Sequence, residues 1–159
     1  MNVRLAVSSP AFADGGAIPR RYACRGGGAQ PPLRVTGLPT ETRALAVVME
    51  DPDAPLMTVT HWVLFNIPVT PPEAEIPEDA GDLGGVAVLG RNSVWSRRWT
   101  PPCPPFGEHR YVFTVYALDG PVGLRRGASA RALRRAMAGS LLGEGQLVGR
   151  FSRRQRGDT

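Results

Sequence analysis

The chain contains no lysine: all 19 of its basic residues are arginines, set against 14 acidic residues for a net charge of +5. Without lysine there is no Walker-type phosphate loop, and "GGG" at 26–28, which also lacks a strand–helix setting, reads as a flexible turn. The arginines scatter, apart from "LRR" at 133–135 and the stretch "SRRQRGDT", and no aromatic platform interleaves with them as in nucleic-acid grooves. We therefore read the arginine excess as compositional bias and expect no nucleic-acid partner. Cysteine is almost absent. Cys24 and Cys103 form neither a CxxC nor a metal-finger spacing, so a disulfide framework is excluded. Free thiols in a reducing compartment are the expected state, with a single Cys24–Cys103 bridge left open. No serine sits in a nucleophile elbow. No run approaches a membrane span, and "MNVRLAVSSPAF" lacks a signal-peptide core, so a cytoplasmic protein without stable membrane insertion is expected.

What the sequence has in quantity is turn formers. Nineteen glycines and 16 prolines among 159 residues favour a mainly β architecture, and 42% hydrophobic content supports one folded domain. The domain is expected over 1–151, with 152–159 as a basic, mobile tail. "RLAVSSPAF" reads as a short first strand, and another lies near Leu33–Val35. "RALAVVMED", "HWVLFNIP" and "HRYVFTVYALD" are apolar on both alternating faces, as in central strands covered on both sides. Residues 69–85 read as turn and loop. "SARALRRAMAGSLL" is the one convincing helix, with Ala130, Leu133, Met137 and Leu141 on one side and Ser129 as cap. "EGQLVGRF" reads as a final short strand.

The only two histidines stand at matching junctions. Asp51 lies at the exit of the first central strand and His61 at the entrance of the next. His109 begins the third. Antiparallel pairing of these strands brings all three to one rim, walled by the proline-rich connections 52–60 and 99–108. Such a concave rim is where a small ligand is expected. Strand alternation turns His109 and Tyr111 to one face and Arg110 to the other. Arg110 is accordingly given a structural task, a buried ion pair with Asp53 or Glu50.

"DPDAP" followed by "HW", then "CPPFGEHRYVFTVYALD", resembles the phosphatidylethanolamine-binding protein family. The resemblance is to its bacterial and archaeal branch, often labelled Raf-kinase-inhibitor-like, and runs from "SPAF" and "RYACRG" to "LVGRF". It implies a central antiparallel sheet packed on a smaller sheet, with one C-terminal helix. It also implies a pocket for phosphate-like or carboxylate groups, built from Asp51, His61, His109 and Tyr111. Pro104, Pro105 and the backbone near Cys103 form its wall, Trp62 lines or packs it, and Asp53 organises its loop. The chain departs from the family pattern at Arg25, where the pattern has an acid, at Gln30, and in "SVWSRRWTPPC". Arg98 at the mouth adds charge, and Trp95 and Trp99 add apolar bulk.

Two functions follow. The first is a binding protein for a small anionic or phosphorylated ligand, with modulation of a protein partner and a homodimer as further expectations. The second is an enzyme in which Asp51, His61, His109 and Tyr111 form an acid–base set for cyclisation, dehydration or isomerisation of an organic acid. A metal site on His61, His109 and Asp51 or Asp53 fits the residue types but ranks below the anion pocket, so neither metal nor cofactor is expected. Cys103 reads as a loop residue rather than a nucleophile.

Overall fold

A computed structural model describes residues 2–153. Three long strands make its centre: β4 (Ala44–Asp51), β5 (Val59–Pro68) and β8 (Glu108–Leu118). Here β1 is Val3–Arg4, β2 Ala6–Ser8, β3 Leu33–Thr36, β6 Ala74–Ile76, β7 Val88–Leu89 and β9 Leu141–Ser152, and the one α-helix among the described residues, α1, is Ala130–Met137. The large sheet runs β1-β9-β8-β4-β5-β7 and is antiparallel except for the parallel β1–β9 edge; β2-β3-β6 form a small antiparallel sheet. The fold is mainly β, as expected.

β4 is apolar from Ala44 to Met49 because both of its faces are covered there. Leu45, Val47 and Met49 join Leu33, Val35 and Ile76 of the small sheet in one core. Ala44, Ala46 and Val48 pack on the opposite side with Leu133 and Met137 of α1. Burial of side chains of this size, at ~1.5–3 kcal/mol each, makes this three-layer arrangement the stable one.

Several boundaries differ from the sequence reading. "RLAVSSPAF" is not one strand: the chain changes sheets at buried Leu5, with β1 on β9 and β2 on β3. The expected loop 69–85 contains β6, whose three residues lie between Pro72 and Pro77 and gave no alternation to read. α1 is capped as expected, Ala132 donating to Ser129 Oγ at 3.1 Å. It stops at Met137 before Gly139, a poor helix former, so Leu141 begins β9 rather than ending the helix. β9 is a full 12 residues long. Its glycines admit the N-terminal segment: a Cβ on Gly145 would lie 2.3 Å from the Leu5 carbonyl oxygen. Residues 154–159 of the expected tail lie outside the described residues.

Candidate functional site

The antiparallel registers bring the three junctions to one rim. Asp51 pairs with Val59 across β4–β5, and Glu50 pairs with Val112 across β4–β8. Asp51 ends its strand and His109 begins its own, and the His109 Nδ1 and Asp51 Oδ2 atoms meet at 2.6 Å. Both side chains are buried. With an ionised carboxylate as acceptor, the proton of this bond sits on Nδ1, which leaves Nε2 facing away from Asp51. The other Asp51 oxygen accepts from the Asp53 backbone N–H at 2.9 Å and closes the start of the 52–58 loop.

His61 reaches the same cluster by a different device. Simple alternation would turn it away from Trp62, which faces the small-sheet core. The β4–β5 register jumps between Met49↔Trp62 and Glu50↔Thr60, so His61 is an extra residue with no partner on β4. Such a bulge re-aims its side chain. The His61 ring meets Tyr111 edge-on, with centroids 5.5 Å apart, and the His109 ring lies nearly parallel to Tyr111 at 6.3 Å. The Tyr111 ring thus has both imidazoles as neighbours.

His61 Nδ1 donates to the Thr100 carbonyl at 2.8 Å, and Thr100 N–H donates back to the His61 carbonyl at 3.0 Å. This reciprocal clamp fixes the Nδ1–H tautomer. Burial pushes the His61 pKa below the ordinary imidazole value, partly opposed by the Thr100 carbonyl and Asp51. The neutral ring then presents a bare Nε2 lone pair. No described residue bonds to Nε2 of either histidine. Beside them the Tyr111 hydroxyl is buried and has no hydrogen-bond partner among the described residues. Burial, and then the charges of Asp51 and Asp53, push its pKa upward, so it stays a donor.

The supporting residues divide differently from the sequence reading. Arg110 does pair with Asp53, through bonds of 2.8 Å from its backbone N–H, 2.9 Å from Nε and 2.8 Å from Nη2. These bonds hold the Asp53 carboxyl down to about 2. The expected burial is corrected: the Arg110 side chain is 59% exposed, because its face of β8 opens to solvent at the rim. Glu50, the alternative partner, is taken by Arg134 of α1 at 2.7 and 3.2 Å. Trp62 packs in the core. Trp99 is not at the mouth: it stacks on Phe113 at 6.2 Å, meets Trp62 edge-on at 5.6 Å, and donates Nε1–H to the Gly28 carbonyl. Arg98 lines a cavity of about 210 Å³ with Gln30, Asp79 and Trp99. Trp95 is exposed, with the Arg91 guanidinium 4.2 Å above it. Pro104 is buried and Pro105 exposed.

The cysteines are bridged, which corrects the reading as free thiols: Cys24 and Cys103 are joined, their Cα atoms 5.4 Å apart. The pairing spans 79 residues and was invisible in the spacing. The bridge ties the 99–108 connection to the turn after a short 3-10 helix at Arg20–Tyr22.

Two residues went unnoticed in the sequence. Thr100 acts through its backbone. Asn92 is buried, and its side-chain NH2 faces the His61 carbonyl, the Arg98 carbonyl and Thr100 Oγ1 at 3.2, 2.9 and 2.8 Å, while its carbonyl oxygen accepts from Val94 and Ser96. One asparagine in a loop carries no local sign that it will cage the loop. Asp51, His61, His109 and Tyr111 are all buried. No set of three or more His, Cys, Asp and Glu arranged for a metal occurs among the described residues, and none of their helices is long and apolar enough to cross a membrane.

Known proteins share this sequence and fold. The family described as phosphatidylethanolamine-binding protein matches residues 8–152. A UPF0098 protein of Methanothermobacter thermautotrophicus is 46% identical over 145 residues, covering 90% of this chain and 95% of its own. One of Chlamydia muridarum is 35% identical, covering 91% and 97%. Among solved structures, a putative phosphatidylethanolamine-binding protein homolog from Chlamydia trachomatis superposes with a TM-score of 0.86 at 32% identity, covering 94% of this chain and 98% of that one. E. coli YbcL, described as a new member of the mammalian PEBP family, gives 0.83 at 27% identity, covering 94% and 99%. The chain belongs to the phosphatidylethanolamine-binding protein family.

Proposed function

We propose that this protein is a binding protein for a small anionic ligand: a phosphate, a phosphoethanolamine-like head group or a carboxylate. One observation carries the reading. Two imidazole rings whose Nε2 atoms have no bond among the described residues flank a phenol whose hydroxyl likewise has none, beside a carboxylate that orients one of the rings. The buried Tyr111 hydroxyl left unpartnered is costly, and an anion that accepts from it offsets that cost; each Nε2 joins as a donor only when its ring takes up a proton. An imidazolium and a phenol give charge-assisted bonds to phosphate or carboxylate oxygens. Asp51 orients the His109 ring and can accept from a ligand hydroxyl or ammonium.

The test is an NMR titration of both imidazoles with inorganic phosphate and with phosphoethanolamine, assigned through His61→Ala. Saturable movement of both rings with one dissociation constant is the expected result. Rings that stay still up to tens of millimolar of either ligand overturn the proposal. The His61 Nε2, kept neutral by burial, also suits a general base. Under that second reading, an organic acid is turned over and His61→Ala abolishes turnover rather than affinity alone.

A further inference from the structure

The cavity of about 210 Å³ beside Arg98 is lined by none of the four residues of the histidine cluster. Its floor is apolar. Trp62 and Leu89 are buried there, and Trp99 is half-buried. Its mouth is charged. Asp79 and Arg98 both line it, and both are exposed. The volume falls below the ~300–1,000 Å³ of pockets for drug-sized molecules. A ligand that fills it is a small metabolite, apolar at the end it buries.

Both charges are held in place from behind. Asp79 sits in the left-handed region at φ 52°, a conformation that aspartate tolerates. Its Oδ1 accepts from the Gln30 backbone N–H at 2.8 Å, and its own N–H donates to the Gln30 carbonyl at 3.1 Å. The buried Gln30 side chain completes this cradle. Its Oε1 accepts from the Ala80 N–H at 2.8 Å, and its Nε2 donates to the Pro31 and Pro77 carbonyls. Arg98 is fixed through its backbone: its N–H donates to Ser96 Oγ at 3.2 Å and its carbonyl accepts from Asn92 at 2.9 Å. Asp79 and Arg98 form no ion pair with each other, nor with any other charged side chain among the described residues. Gln30 and Arg98 are also positions at which the chain departs from the family pattern, so the cavity is built from residues of its own.

We infer that this cavity binds a small α-amino acid with an apolar side chain. Two opposite charges at one end and an apolar body at the other are the plan of such a molecule, and the cavity mirrors it. The ligand carboxylate meets the Arg98 guanidinium, whose fork matches a carboxylate. The ligand ammonium meets the Asp79 oxygen that Gln30 leaves free. The side chain lies on Trp62, Trp99 and Leu89. A monoanion brings a like charge to Asp79 and a monocation brings one to Arg98, so the pair of charges selects a zwitterion against both. The site is independent of the anion reading of the histidine cluster, since Asp51, His61, His109 and Tyr111 take no part in it.

Three probes with the same apolar body test it: L-leucine, 4-methylpentanoate, which lacks the amine, and 3-methylbutylamine, which lacks the carboxylate. Calorimetry gives the affinities. The indole N–H signals of Trp62 and Trp99 show by NMR where each probe sits, with Trp95→Phe identifying the third tryptophan. Leucine is expected to move both indoles and to bind about tenfold more tightly than either analogue, the scale of one charge-assisted hydrogen bond. Asp79→Asn keeps the acceptor for Gln30 and removes the charge; it erases the advantage over 4-methylpentanoate alone. Arg98→Met erases the advantage over 3-methylbutylamine alone. Both side chains are exposed, so the fold tolerates the changes. Arg97→Met, equal in charge change but outside the cavity lining, leaves both advantages intact. Equal affinity for the three probes overturns the inference, as does an advantage that survives its matching substitution or is lost in Arg97→Met. Indoles that stay still up to tens of millimolar leucine overturn it as well, and so does leucine that moves the imidazoles alone.

Discussion

Replacing Tyr111 by phenylalanine has opposite expected effects on the free and the liganded protein. The ring is fully buried, and its hydroxyl has no partner among the described residues. Phenylalanine keeps the ring and its contacts with His61 and His109 while deleting only the oxygen. A buried hydroxyl left unpaired costs ~1–3 kcal/mol, so the free variant gains stability, by about 1–2 kcal/mol. For a chain of this length that raises Tm by about 2–4 °C per kcal/mol. In urea the midpoint moves up with an unchanged slope, because the buried area is the same.

With the anion bound the sign reverses. In the complex the hydroxyl donates to a ligand oxygen, and a hydrogen bond to a charged group is worth ~1.5–3 kcal/mol. Phosphate affinity therefore falls about 10- to 100-fold. Because ligand stabilises only the form that binds it, the wild type overtakes the variant as phosphate is raised. Calorimetric titration and urea melts at several phosphate concentrations measure both signs. Loss of 1 kcal/mol or more in the free protein would refute the unpaired hydroxyl. Unchanged phosphate affinity would refute its part in binding.

Three further outcomes are expected. Asp53 is held at about 2 by Arg110, below its ordinary 3.8; a depressed folded-state value means its contribution is complete above about pH 4 and lost as pH falls through 2. Arg110→Met returns the carboxyl toward 3.8 and moves the acid-unfolding midpoint upward, read by NMR of the Asp53 carboxyl and by circular dichroism. Replacing Cys24 and Cys103 by serine releases a closure of 79 residues. Chain entropy puts the upper bound near 4.5 kcal/mol, and a loss of about 2–4 kcal/mol in urea unfolding is expected. Sulfate, a dianion at every working pH, should bind with uptake of one proton, since His61 is held neutral in the free protein. Its affinity falls about tenfold per pH unit between the His61 titrations of the free and bound forms; calorimetry in buffers of different ionisation enthalpy counts the proton.

The central sheet was legible because β4, β5 and β8 are apolar on both alternating faces, a pattern that only a doubly covered strand requires. The rim followed from it, since two antiparallel pairings leave no other place for Asp51, His61 and His109. The chosen face of His109 and Tyr111 also followed, because β8 keeps strict alternation from Glu108 to Ala117. His61 is another matter. Its direction depends on a bulge opposite the Met49–Glu50 step, and a bulge adds a residue without changing composition. Thr100 and Asn92 were equally hidden: Thr100 acts on His61 through backbone groups that every residue type shares, and Asn92 acts through a side-chain amide whose partners come together only in the folded loop. The cysteine pairing stayed open, with free thiols as the default, because a separation of 79 residues says nothing of proximity.

The "SVWSRRWTPPC" stretch shows why a divergent loop was hard to place. Read as a mouth, its tryptophans and arginines would have reshaped the entrance. In the fold Trp99 anchors the stretch in the core between Trp62 and Phe113, Asn92 cages it from within, and the Cys103 bridge fixes its end. Between these anchors lies Thr100, whose carbonyl sets the tautomer of His61. The loop thus affects the site mainly through the protonation and aim of one imidazole. Substitutions in it that preserve Trp99 and Asn92 should leave the rim intact, whereas loss of either anchor should reach His61 without touching a residue of the central cluster.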